Sequence, residues 1–106
     1  MNNTSLEARL AALAAANETT TYGALARDLG WRMAEVTAAL EALMEEDARA
    51  GRPLRAALLE GRLSQGLPAA GFFLKAAELG FDVANPAGFV TTQRAAIWAQ
   101  GQPTKP

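Results

Sequence analysis

Residues 21–51 read TYGALARDLGWRMAEVTAALEALMEEDARAG, and the fold turns on this stretch. Thr21 stands where a helix N-cap belongs, ahead of a two-turn segment through Leu29 whose buried seam is Leu25 and Leu29. Gly30 follows as a left-handed C-cap, and Trp31-Arg32 make a tight turn. From about Met33 to Ala50 a longer helix is expected, with Val36, Leu40, Leu43 and Met44 at helical spacing. Gly51 and Pro53 stop it in the order usual at a helix end. A short helix, a turn and a longer helix make a helix-turn-helix pair.

Upstream, Leu6, Leu10 and Leu13 form a one-face stripe that predicts a helix over Ser5–Ala16, with Thr4 and Glu7 at capping-box spacing. The β-branched and aromatic run Thr19–Tyr22 reads as a short extended entry. Downstream of Pro53, Leu54–Leu59 is expected as a strand. Glu60-Gly61 is its turn and Arg62–Ser64 a return strand, together a β-hairpin. A helix follows over 69–79 with Phe72, Phe73, Ala76 and Leu79, and Gly80 stops it. Residues 81–88 are read as loop. Thr91 or Thr92 then caps a last helix, Gln93–Gln100, whose anchors Ile97 and Trp98 are expected to cover Phe72 and Phe73. An uncovered remainder of that aromatic surface would point to a homodimer or a partner site. The fold class is mainly α with a small β-hairpin (α+β), a winged helix-turn-helix-like core with additional C-terminal helices. Residues 1–100 form one domain and 101–106 a frayed tail.

Composition narrows the chemistry. Half of the 106 residues are apolar, and 10 Lys+Arg stand against 11 Asp+Glu for a net charge of −1. That balance supports a packed core and gives no global attraction to nucleic acid or anionic membrane. With no cysteine and no histidine, there is no disulfide, thiolate nucleophile, zinc–thiolate site or imidazole base. Glu45, Glu46 and Asp47 are oxygen donors, but adjacent helical positions point in different directions, so no metal site is expected. No signal peptide and no run long enough to span a bilayer is visible, which fits a cytoplasmic domain. The expectation is a protein without enzymatic activity or cofactor.

Thr21-Tyr22-Gly23-Ala24-Leu25-Ala26-Arg27-Asp28-Leu29-Gly30 resembles the opening of the DNA-binding domain of O6-alkylguanine-DNA alkyltransferases and alkyltransferase-like proteins. Gly61-Arg62-Leu63, Gly66 and Lys75 resemble the segment after that family's active-site loop, and the likeness covers about residues 20–80. It implies a winged-helix fold with Tyr22 facing DNA. The family's active-site motif, P-C-H-R, falls on Pro53-Leu54-Arg55-Ala56, so nucleophile and base are replaced. The arginine that fills the space of an extruded base falls on Ala34. The resemblance therefore carries a fold and not alkyl transfer.

Charge is segregated along the chain. Between Glu35 and Asp47 there are five acids, Glu35, Glu41, Glu45, Glu46 and Asp47, and no base. From Arg49 to Arg62 four arginines face Glu60 alone. The leading reading is a non-enzymatic winged-helix DNA-binding module, a regulator or degenerate alkyltransferase-like binder. Its phosphate contacts would come from an arginine-bearing wing, Arg52, Arg55 and Arg62, with Arg27, Arg32 and Tyr22 beside them. The other reading of the wing arginines is salt bridging to the acidic helix. The alternative is a protein-interaction adaptor that binds a basic protein partner through Glu35, Glu41 and Glu45 on the acidic third helix. Trp31 is expected to plug the core over the turn.

Overall fold

The structure is a computed structural model that describes residues 3–101. Helix α1 spans Asn3–Ala16 and presents Leu6, Leu10 and Leu13 to the interior. Because Asn3 is already helical, Thr4 lies inside the helix and is not its cap. Asn17 ends it at φ 56°, a left-handed conformation that asparagine tolerates better than most residues.

Strand β1 is only Thr20–Thr21. Helix α2, Tyr22–Leu29, begins where Thr21 Oγ1 accepts the Ala24 N–H at 3.1 Å. It ends at Gly30, φ 70°, with Trp31 N–H donating to the Ala26 carbonyl at 3.0 Å. Helix α3 runs Met33–Ala50 and closes the same way at Gly51, φ 72°. These are therefore two helices joined by a short turn and not one rod.

The expected hairpin is absent. Arg55–Leu58 is a 3₁₀ turn, and β2, Leu59–Glu60, pairs parallel with β1, Thr20 opposite Leu59 and Thr21 opposite Glu60. Residues 62–64 form no return strand. The reason lies in burial: Ala56, Ala57, Leu58 and Leu59 are all buried in succession, which a two-faced hairpin strand cannot achieve. Partners for this backbone come from the last helix. Gln93 Oε1 accepts the Leu54 N–H at 2.7 Å, and Arg94 donates through Nε to the Ala57 carbonyl at 2.7 Å. Arg94 Nη2 reaches the carbonyls of Leu59 at 3.4 Å and Gly66 at 2.8 Å. Behind β2, residues 61–68 fold back on themselves, Gly61 N–H donating to the Leu67 carbonyl at 2.8 Å.

Helix α4 covers Ala70–Glu78, and α5 covers Pro86–Gly101. The last helix starts seven residues earlier than the Thr91/Thr92 reading placed it. Pro86 occupies the first helical position, where its missing N–H costs nothing, and Asn85 Oδ1 caps the turn by accepting the Gly88 N–H at 3.1 Å. Gly101 closes α5, and the rest of the expected tail, 102–106, lies outside the described residues.

One core unites these elements: the leucines of α1, Leu25, Val36, Leu40 and Leu43 meet Leu54, Leu58, Leu59, Phe72, Val90 and Ile97. Leu29 and Trp31 pack against its edge, Trp31 half-buried over the turn. The rings that meet Phe72 are Phe73, edge-on at 5.2 Å, and Phe89 at 6.2 Å. Phe89 in turn contacts Phe81 at 5.7 Å. The cover over the Phe72–Phe73 pair thus comes from Phe89 in the first turn of α5. Trp98 instead sends its indole N–H to the Glu18 carbonyl at 3.4 Å. Among the described residues, no helix is long and apolar enough to cross a membrane.

Candidate functional site

The arginines proposed as phosphate contacts divide into two groups. Arg55 is spent inside the protein: its Nη2 donates to Asp47 at 2.8 Å, its Nε to the same carboxylate at 3.0 Å, and its Nη1 to Glu7 at 3.3 Å. Burial alone would lower its pKa, but Asp47 and Glu7 outweigh that and hold it above the usual arginine value. Arg52 donates to Asp47 at 3.1 Å and Glu46 at 3.3 Å. Arg27, Arg32 and Arg62 are exposed, with no ion pair among the described residues.

The acidic stretch of α3 is consumed in the same way. Asp47 is fully buried as the acceptor for both arginines, and Glu46 joins Arg52. Glu45 binds Lys75 of α4, a hydrogen bond that holds its carboxyl below the usual glutamate range. Glu35 Oε1 accepts the Arg32 N–H at 2.7 Å, so it caps its own helix. Glu45 turns to Lys75 of α4, while Glu46 and Asp47 share Arg52 and Asp47 also takes Arg55. Among the described residues, no cluster of metal-ligating side chains forms. Of the acidic candidates only Glu41 is exposed and outside any ion pair among the described residues.

Tyr22 is not an outward side chain. It is half-buried, and its hydroxyl accepts the Ala69 N–H at 3.1 Å, joining the first turn of α2 to the residue before α4. Burial raises its pKa against the smaller opposing effects of that hydrogen bond and of Arg94.

Tyr22 also lines the wall of an open groove of about 610 Å³. Its floor is one face of α3: Met33, Thr37, Leu40, Glu41 and Met44, residues that recur at one- to two-turn spacing. Thr21 and Gly23 at the α2 start line it beside Glu60, Gly61 and Arg62, since Thr21 pairs with Glu60 across the two strands, and Gly71 and Phe72 of α4 line it as well. The large apolar residues that stand exposed among the described residues belong to the groove's own segments. Met33 lines it, Leu63 follows Arg62, and Leu74 lies one turn beyond Gly71 on α4. Leu63 is 95% exposed at φ 59°, a left-handed backbone unusual for leucine.

Sequence reasoning gave Leu40 and Met44 to the core and passed over Met33, Thr37, Glu60 and Gly71. The sequence carried little signal for them: Met33 falls on the ordinary single stripe of Val36, Leu40, Leu43 and Met44, and Glu60 and Gly71 lie on other elements. No family model matches the chain, and neither a curated protein nor a solved structure matches it significantly.

Proposed function

We propose that the chain is a non-enzymatic protein-interaction module, built on a helix-turn-helix core, that takes a basic, apolar-faced segment of a partner protein along α3. The observation that carries this reading is the chemistry of the α3 face that lines the groove. A helix that reads DNA most often brings arginine, lysine, asparagine or glutamine to base edges, with carboxylates and apolar groups as additional contacts. This face presents Met33, Leu40 and Met44, the carboxylate of Glu41, and Thr37, whose hydroxyl is turned back to the Met33 carbonyl at 3.1 Å. Met33 is the large exposed apolar side chain that lines the groove, over buried Leu40 and Met44, and such a lining fits an apolar protein segment better than a phosphate backbone. Glu41 and Glu60 supply the charge complement for a lysine or arginine.

On this reading, the likeness to alkyltransferases extends to the paired helices and not to their chemistry. In chain order the 3₁₀ turn and β2 follow α3, at the point where a wing is expected. DNA binding remains the rival, supported by exposed Arg27 and Arg32 at the α2–α3 turn. The test is fluorescence anisotropy with two labelled probes, a duplex oligonucleotide and an amphipathic leucine/lysine peptide, at low and physiological salt. The peptide is expected to bind at micromolar protein and to keep most of its affinity in salt, because apolar burial is not screened. Duplex binding with a steep salt dependence, and no peptide binding, overturns the proposal in favour of DNA.

A further inference from the structure

Two of the groove's lining residues are glycines that the protein itself does not need. Gly23 is the second residue of α2 and Gly71 the second of α4. Neither has the positive φ that reserves a position for glycine, and a Cβ built at either would meet no atom within 4 Å. Glycine is a poor helix former beside alanine, so both positions forgo helix stability with no steric return in the free chain. What the two have in common is the groove.

We propose that Gly23 and Gly71 leave room for the backbone of a docked partner α-helix, whose apolar face lies on α3 and whose lysine or arginine meets Glu41 and Glu60. This rests on the interaction reading above and names the shape of its partner. A residue without a side chain lets a second backbone approach closely, as glycine does wherever chain meets ligand. A helix is the occupant that fits. The strands offer only two residues each, too short an edge to take on another strand. Met33 to Met44, by contrast, spans about 16 Å of α3, or three helical turns. Neither Glu41 nor Glu60 forms an ion pair among the described residues, although Glu60 accepts a hydrogen bond from the Thr19 hydroxyl. Both carboxylates line the groove with a single cation, Arg62, so its charged lining is net negative toward a cation on the partner.

The experiment uses the whole chain with two labelled helical peptides that share a leucine/alanine face, one flanked by lysines and the other by glutamates. Gly23→Ala and Gly71→Ala are each expected to melt no lower than the unsubstituted protein, and each to weaken the lysine peptide about tenfold. Glu41→Gln is expected to narrow the preference for the lysine peptide. Undiminished binding by both glycine variants overturns this proposal while leaving the interaction reading in place. Equal affinity for the glutamate peptide overturns this proposal and also the basic character given to the partner in the reading above. If the unsubstituted protein binds neither peptide, the interaction reading falls and takes this proposal with it. A concentration-dependent dimer that excludes the peptides assigns the groove to a second copy and likewise overturns it.

Discussion

Replacing Asp47 tests the internal ion-pair hub, and with it the claim that Arg52 and Arg55 are structural. Asp47 is fully buried and accepts four kinds of hydrogen bond: Arg52 Nε at 3.1 Å, Arg55 backbone N–H at 3.0 Å, and Arg55 Nε and Nη2 at 3.0 and 2.8 Å. In Asp47→Ala the Arg55 guanidinium, only 23% exposed, and its backbone N–H lose this acceptor together. Breaking a buried pair by removing one partner costs about 3–5 kcal/mol. The lower end applies here, because Arg55 keeps Glu7 at 3.3 Å and Arg52 keeps Glu46 and its 44% exposure. The expected loss is thus about 3 kcal/mol, a large part of the roughly 5–15 kcal/mol that holds a domain together. At about 4–8 °C per kcal/mol for a domain of this size, the melting temperature should fall by about 12–24 °C. Asp47→Asn keeps one carbonyl oxygen and should cost about half as much. Urea unfolding of both variants, with a cycle through Arg55→Met, measures these terms. A loss below about 1 kcal/mol for Asp47→Ala would refute the reasoning, since Arg55 would then have to be compensated by solvent.

Tyr22 is the chain's single tyrosine, so near-ultraviolet absorbance reports its ionisation alone. The midpoint should lie above the ordinary tyrosine value, because burial favours the neutral phenol. The sign follows: this group's contribution to stability is complete below its unfolded pKa and is lost as pH rises toward the folded one. A midpoint at or below the value of the unfolded chain contradicts the burial. Asn85→Ala removes the cap of α5 and should cost about 1 kcal/mol in urea unfolding, whereas Thr91→Ala and Thr92→Ala, inside the helix, should cost little. Gly61→Ala places a Cβ 2.6 Å from Ser64 Oγ and 3.0 Å from the Ala69 backbone. Thermal unfolding should show a loss of about 1–3 kcal/mol, and no loss would mean that residues 61–68 can shift freely.

What the sequence disclosed was decided by whether the deciding contact was local. Helix α3 was legible at both ends because Gly30 and Gly51 act within a turn of the helices they close. The leucine stripes were legible for the same reason. The segment 54–60 was not, because its backbone partners, Gln93 and Arg94, lie some forty residues away. With those partners hidden, glycine punctuation favoured a hairpin. The start of α5 was misread although its signal was local: Asn85-Pro86 can open a helix as readily as it can mark a turn. Counting charge along the chain exposed an acidic helix and a basic segment next to it. It could not show that Asp47 reaches Arg55, or that Arg55 also reaches back to Glu7. The groove was the least legible part, since its walls come from both strands, the 3₁₀ turn, α2, α3 and α4.

Arg94 gives the groove an order of assembly. Its guanidinium holds the carbonyls of Ala57, Leu59 and Gly66, so the rim that carries Glu60 and Arg62 is tied to a side chain about thirty residues further along. During synthesis, α1, α2 and α3 emerge with most of their own hydrogen bonds available locally. Residues 57–66 must wait until Arg94 has been made and α5 has wound onto the core. A growing chain that stops short of Arg94 has the floor of the groove but no fixed rim. On the interaction reading proposed above, a chain that stops short of Arg94 is expected to capture no partner.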